Sequence, residues 1–208
     1  LSARLADGNA GSIDATGATL RSGNTQPITA TITYGSGDII VQDADIGSAH
    51  AFVATLNDPN SGSIDASGAT VRSSDGQPIS IQLNEGSGEV DLQNADMRSD
   101  QTLSVRIGDN AGSVTASGAT LRSANSNPIT IVVAQGTGNV DLKNTRLASP
   151  SAVYVTGNNN DNNLYVNQDT GSGGTVVVDL SDNPTDLVST DMVVDSDADV
   201  EKGTLILN

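Results

Sequence analysis

The chain has 208 residues, no cysteine, and 25 acidic side chains against 9 basic ones, a formal net charge of −16. That length suits one domain with a continuous core, and the missing cysteines exclude disulfides and thiolate metal sites. So acidic a surface excludes unaided nucleic-acid binding, where phosphates need a basic face, and no apolar run is long enough to span a membrane as a helix.

In chain order, "LSARL" opens the sequence as a truncated strand, followed by "GSIDATGATLRS" at 11–22. The same twelve-residue pattern returns as "GDIIVQDADIGS" (37–48), "GSIDASGATVRS" (62–73), "GEVDLQNADMRS" (88–99), "GSVTASGATLRS" (112–123) and "GNVDLKNTRLAS" (138–149). The starts at Gly11, Gly37, Gly62, Gly88, Gly112 and Gly138 lie 24 to 26 residues apart. Such a period marks a repeat array, here too short and too poor in helix formers for paired helices.

Reading down the copies shows what each position needs. The third position is Ile13, Ile39, Ile64, Val90, Val114 and Val140, and the tenth is Leu20, Ile46, Val71, Met97, Leu121 and Leu147. Apolar and polar residues alternate with period two, which is a strand with one buried face. The seventh position holds Gly17, Asp43, Gly68, Asn94, Gly118 and Asn144, the residue types that accept left-handed dihedrals. Each copy therefore reads as strand, left-handed corner, strand. A second alternating segment follows each one: "PITATI", "AFVATL", "PISIQL", "TLSVRI", "PITIVV" and "SAVYVT".

The expected fold class is all-β, a parallel β-helix (β-solenoid) of about 25 residues and three short strands per coil. The general rule for parallel crossovers makes it right-handed. The array spans 1–156, and 157–208 is expected to be an irregular β cap or continuation. Coils that stack at about 4.8 Å place equivalent residues in ladders along the axis. Ser22, Ser48, Ser73, Ser99, Ser123 and Ser149 form one such ladder at the last motif position, a structural row of hydroxyls with no accompanying base. On the outer face of the second motif strand, Asp45 is expected between Arg21 and Arg72, and Asp96 between Arg72 and Arg122, fixing register more than adding stability.

Several segments invite chemical readings. "DSDADVE" places Asp195, Asp197, Asp199 and Glu201 at alternate positions, like the opening of a calcium loop, and equally like the wet face of a strand. "GNNNDNN" (157–163) offers oxygens in a polar loop. Asp14 with Asp38 and Asp65, or Asp91 with Asp141, reach the carboxylate spacing of glycosidases, against which stand four scattered aromatics and short turns. His50 is a lone histidine beside Phe52, without a partner for catalysis or metal binding. The "TATIT" segment (29–33) has no threonine counterpart in the equivalent strands, so no threonine ladder persists.

The copies resemble the coils of parallel β-helix repeat proteins. The composition, rich in Asp and poor in Lys, is similar to that of secreted haloarchaeal proteins or structural proteins of their viruses, and it also fits an ordinary acidic secreted protein. Bactofilins, which polymerise through β-helical ends, are similar in shape, but their sequence signature is missing here. This resemblance carries no active-site residues. The expectation is a non-enzymatic extracellular structural protein, a self-assembling subunit of a surface filament or virion appendage, with calcium as the one conceivable cofactor. Homo-oligomer or filament contacts would run through the ends, at Leu1, Leu5, Leu205 and Leu207. An adhesive spike that binds a cell-surface glycan or receptor, and a polysaccharide-active enzyme, are the other readings.

Overall fold

In the computed structural model the chain is all-β, without a helix among the described residues. Those residues are 1–6, 11–23, 25–57, 62–109, 112–125, 127–135, 140–142, 145–149 and 152–157, with strand backbones at 165–166, 175–179, 193–194 and 204–207. The chain visits three parallel sheets in rotation, and each circuit is one turn of a β-solenoid. There are about five turns of about 26 residues.

The first sheet has nine strands: Ser2–Leu5, Ile28–Ile32, Phe52–Leu56, Ile79–Glu85, Leu103–Asp109, Ile129–Gln135, Ala152–Gly157, Thr175–Asp179 and Thr204–Leu207. The second has eight very short strands, among them Ile13–Asp14, Ile39–Ile40, Ile64–Asp65, Val90–Asp91 and Val140–Leu142. The third has six, from Thr19–Ser22 through Asp45–Ser48, Thr70–Ser73, Asp96–Ser99 and Thr120–Ser123 to Arg146–Ala148. Pairing runs residue for residue, so that Ile81 lies between Ala54 and Val105, and Met97 between Val71 and Leu121. The period-two pattern thereby becomes stacked apolar columns: Ile32, Leu56, Leu83 and Ile107 are fully buried, as are Ile39, Ile64 and Val71. Each such side chain adds about 1.5 to 3 kcal/mol of burial free energy, which no single coil could obtain alone.

The corners between the second and third sheets are left-handed in every described copy. Gly17, Asp43, Gly68, Asn94 and Gly118 have φ between 54° and 72°, while Asn144 lies outside the described residues. The alternation of glycine with Asp or Asn has a steric cause. A Cβ on Gly68 would come within 2.1 Å of Asp43 Oδ1, and one on Gly118 within 2.5 Å of Asn94 Oδ1. The Asx side chain of one coil thus occupies the space that glycine leaves open in the next. The first motif position is glycine for a related reason: a Cβ on Gly88 would lie 1.8 Å from the carbonyl oxygen of Gly62.

Beyond residue 157 the motif stops, yet two sheets continue. Tyr165–Val166 and Val193–Val194 extend the eight-stranded sheet, and Thr175–Asp179 and Thr204–Leu207 extend the nine-stranded one. The third sheet gains no strand there among the described residues.

Candidate functional site

The outward positions of the eight-stranded sheet form an acidic strip. Asp65 stands directly opposite Asp91, while Ile40 separates Asp14 from Asp65 and Thr115 separates Asp91 from Asp141. Two rungs are roughly 10 Å, so among the strand aspartates Asp65 and Asp91 stand one rung apart, and the pairs named from sequence, Asp14 with Asp65 and Asp91 with Asp141, stand two rungs apart. The cause is registration, since Ile40 and Thr115 take the intervening rungs. Asp38, Asp65, Glu89 and Asp91 line an open cavity of about 240 Å³. Glu89 escaped the sequence reading because it precedes the strand, where its side chain direction depends on the turn.

These carboxylates already have structural work. Asp14 Oδ1 accepts from the Thr16 backbone N–H at 2.9 Å and from Thr16 Oγ1 at 2.7 Å. Asp65 receives the same two bonds from Ser67, at 2.9 and 2.7 Å, and Asp91 Oδ1 accepts from the Gln93 N–H at 2.8 Å. Each aspartate thus ties the entry to a left-handed corner, a local competitor to ladder bonding that Asp side chains favour. The bonds from Thr16 hold the Asp14 carboxyl below its ordinary value. Burial raises that of Asp91, with the Gln93 bond opposing and the neighbouring Asp65 charge adding to the rise. Asp38 Oδ1 accepts from the Ser63 N–H at 2.7 Å, and Ser63 Oγ in turn accepts from the Glu89 N–H at 3.1 Å, so this row binds coil to coil. No group of three or more His, Cys, Asp or Glu arranged to hold a metal occurs among the described residues.

The third sheet carries the arginines. Arg21 pairs with Asp45 one coil on, and its Nη1 donates to the Asp45 backbone oxygen at 2.7 Å. Gly47 gives Arg21 the room to cross, since a Cβ there would stand 3.2 Å from its Cδ. Arg72 meets Asp96 at 3.5 Å. The hydrogen bond from Arg21 lowers the Asp45 carboxyl, with a smaller contribution from the charge of Arg72. Arg72, Arg98 and Arg122 follow one another in direct register.

The serine row is buried at Ser48, Ser73, Ser99, Ser123 and Ser149, and half-buried at Ser22. The hydroxyls bond corner backbone: Ser22 to the Gln26 oxygen at 2.5 Å, Ser123 to that of Asn127 at 2.5 Å, and Ser149 to the same Asn127 oxygen at 2.8 Å. Ser73 donates to the oxygens of His50 and Gln77, and Ser99 to those of Gln77 and Thr102. Ser48 Oγ accepts from the His50 N–H at 3.1 Å. His50 is half-buried, its Nδ1 is without a hydrogen-bond partner in the structure, and its backbone rather than its ring joins the row.

The ends differ from the middle. Ser2–Leu5 and Thr204–Leu207 are the first and last strands of the nine-stranded sheet, which places Leu5, Leu205 and Leu207 in its outermost rungs and Leu1 immediately before. At the first rung Leu1 is 59% exposed, and Ile13, Ala15 and Leu20 are only partly covered, whereas their counterparts Ile64, Ala66 and Val71 are fully buried. A cavity of about 160 Å³ opens there, lined by Leu1, Ala3, Ile13, Leu20, Ile28 and Phe52 among others. Asp195, Asp197, Asp199 and Glu201, the candidate calcium ligands, lie outside the described residues, as does the polar loop beyond Gly157. No helix among the described residues is long and apolar enough to cross a membrane. Compared with protein families, with curated proteins and with solved structures, the chain finds no match.

Proposed function

We propose that the protein is a non-enzymatic structural subunit that joins end to end into a filament at a cell or virion surface. The observation that carries this reading is the residue-for-residue stacking of parallel strands, a pattern that one coil passes to the next without change. A strand edge at the end of such a stack is a template for another strand. The occupant in this reading is the last rung of a second copy, at Thr204–Leu207. Against catalysis, the acidic strip is an open face whose aspartates are engaged in corner bonds, and neither exposed aromatic, Tyr34 or Tyr154, lines it. The coat of carboxylates supports a salty extracellular setting, where charge is screened and acidic side chains keep the surface hydrated.

Electron microscopy in about 3 M salt, where screening reaches only about 3 Å or less, tests the reading. Filaments are expected from the wild type, and none from Arg4→Pro, which removes an N–H that faces away from Ile28–Ile32 and leaves the far strands and their circular-dichroism signal intact. Discrete particles from the wild type at every salt concentration would overturn the end joint and favour an adhesive spike.

A further inference from the structure

Two lateral faces of the solenoid carry opposite charge at the same pitch. The outward side of the eight-stranded sheet presents Asp14, Asp38, Asp65, Glu89, Asp91 and Asp141, with no lysine or arginine among its described residues. The third sheet presents five arginines, at 21, 72, 98, 122 and 146, against Asp45 and Asp96. One rung spacing of about 4.8 Å generates both ladders, so they are commensurate at any length.

The two ladders also keep step coil by coil. Asp14 shares its coil with Arg21, Asp65 with Arg72, and Asp91 with Arg98, whereas the second coil has Ile40 and Gly47 at these two positions. Within one molecule these partners do not pair. Among the described residues Arg21 pairs with Asp45 and Arg72 with Asp96 instead. The carboxylates of Asp14 and Asp91 accept instead from Thr16 and Gln93. Arg98 and Arg122 make no ion pair among the described residues, and the buried Nε of Arg122 has no hydrogen-bond partner. A parallel second copy at the same height would bring each acid opposite the arginine that accompanies it in sequence. The fifth coil, with Thr115 and Arg122, leaves Arg122 one rung from Asp91 of that copy.

We propose that two parallel, level copies associate side by side, the arginine ladder Arg72, Arg98 and Arg122 of one lying on the carboxylate ladder Asp65, Glu89 and Asp91 of the other. This rests on the assembly reading above and adds a lateral surface that operates at low ionic strength, and it uses residues remote from the strand ends, so the two joints fail separately. The net charge of −16 opposes approach at long range. At about 0.1 M salt the screening length is about 10 Å, which mutes distant carboxylates while contact pairs persist. Near 1 M it falls to about 3 Å and the lateral pairs weaken as well.

Sedimentation velocity in about 0.1 M salt tests the contact with two variants, Arg98→Glu with Arg122→Glu, and Asp65→Arg with Asp91→Arg. Each variant alone sets like charges against each other and is expected to lose lateral association. An equimolar mixture restores opposite charges at both faces and is expected to regain it. Lateral association of the wild type should fall at least about tenfold in affinity between about 0.1 and 1 M salt. The Arg4→Pro background separates the two joints, since it removes end joining and leaves the lateral species in place. A wild type without lateral association, variants that still pair alone, or a mixture that stays apart would each overturn the proposal. A wild type that stays single yet binds polygalacturonate through Arg98 and Arg122 would also overturn it, and would reassign the ladder to an acidic polysaccharide.

Discussion

At the residue scale, the alternation at the corners makes a sharp prediction. Gly68 combines φ of +65° with a neighbouring Asp43 oxygen that a Cβ would strike, whereas Gly17, at +64°, has nothing within 4 Å of that point. Gly17→Ala therefore meets only the left-handed dihedral penalty, about 1 to 2 kcal/mol. Gly68→Ala adds displacement of Asp43 to the same penalty. Denaturant midpoints should place Gly68→Ala clearly below Gly17→Ala, and equal midpoints would show that Asp43 moves aside without cost. Asp91 gives a second test. Its carboxyl is raised above the unfolded value by burial first and by Asp65 in addition. The charged form then costs stability above the folded value, and that cost disappears as pH falls through it. Asp91→Asn, which keeps the acceptor for Gln93, should melt above the wild type at pH 7, with the gap closing on acidification. Asp14 and Asp45 are lowered, so their contributions have the opposite sign and are lost as pH falls through their folded values. Comparing the variant with the wild type at each pH cancels those shared terms.

At the element scale, strands of two to seven residues hold because all but those at the sheet ends are stacked on both sides. Ile81 is fully buried and lies between Ala54 and Val105, while its neighbour Gln82 faces outward. Ile81→Ala should cost about 2 to 5 kcal/mol, and Gln82→Ala should stay within about 0.5 kcal/mol of the wild type, as read from chemical denaturation. Here the sequence is most informative. Period two decides which face is buried, and the Gly, Asn and Asp column locates the corners, because both depend on local chain geometry alone. Relative placement of neighbouring coils is harder to read. Asp65 opposing Asp91 follows from their shared fourth place in consecutive copies, whereas the pairing of Asp45 and Asp96 with the arginine one coil before rather than one coil after depends on side-chain direction. The aspartate bonds to residues two further on leave no mark in the alternating pattern, since any polar residue satisfies it. Strands such as Ile79–Glu85 and Leu103–Asp109 run past their apolar core into Asn84, Glu85 and Gly108, where only tertiary pairing extends them.

At the scale of the whole molecule, charge and architecture pull against each other. Stacked coils place like-charged aspartates one above another at about 4.8 Å, and a net charge of −16 adds long-range repulsion. Raising salt from about 0.1 to 1 M shortens the screening length from about 10 to about 3 Å. The melting temperature should therefore rise with sodium chloride, and a flat or falling curve would show that ion pairs on the arginine face outweigh the acidic strip. The candidate surfaces are only partly legible in the sequence. The end strands and the arginine column stand out as letters, but that two lateral faces carry opposite charge emerges only when the chain is wound and the second and third sheets are set side by side.

The interlock of Asx over glycine makes the natural unit of length a pair of coils. Removing residues 62–111 would bring Asp43 onto Gly118 and keep the alternation, shortening the rod by roughly 10 Å. Removing 62–87 alone would set Asp43 against Asn94, two side chains contending for one space. A lineage of such proteins would then lose a glycine coil only together with an Asx coil, since loss of the glycine coil alone is weeded out by folding rather than by use.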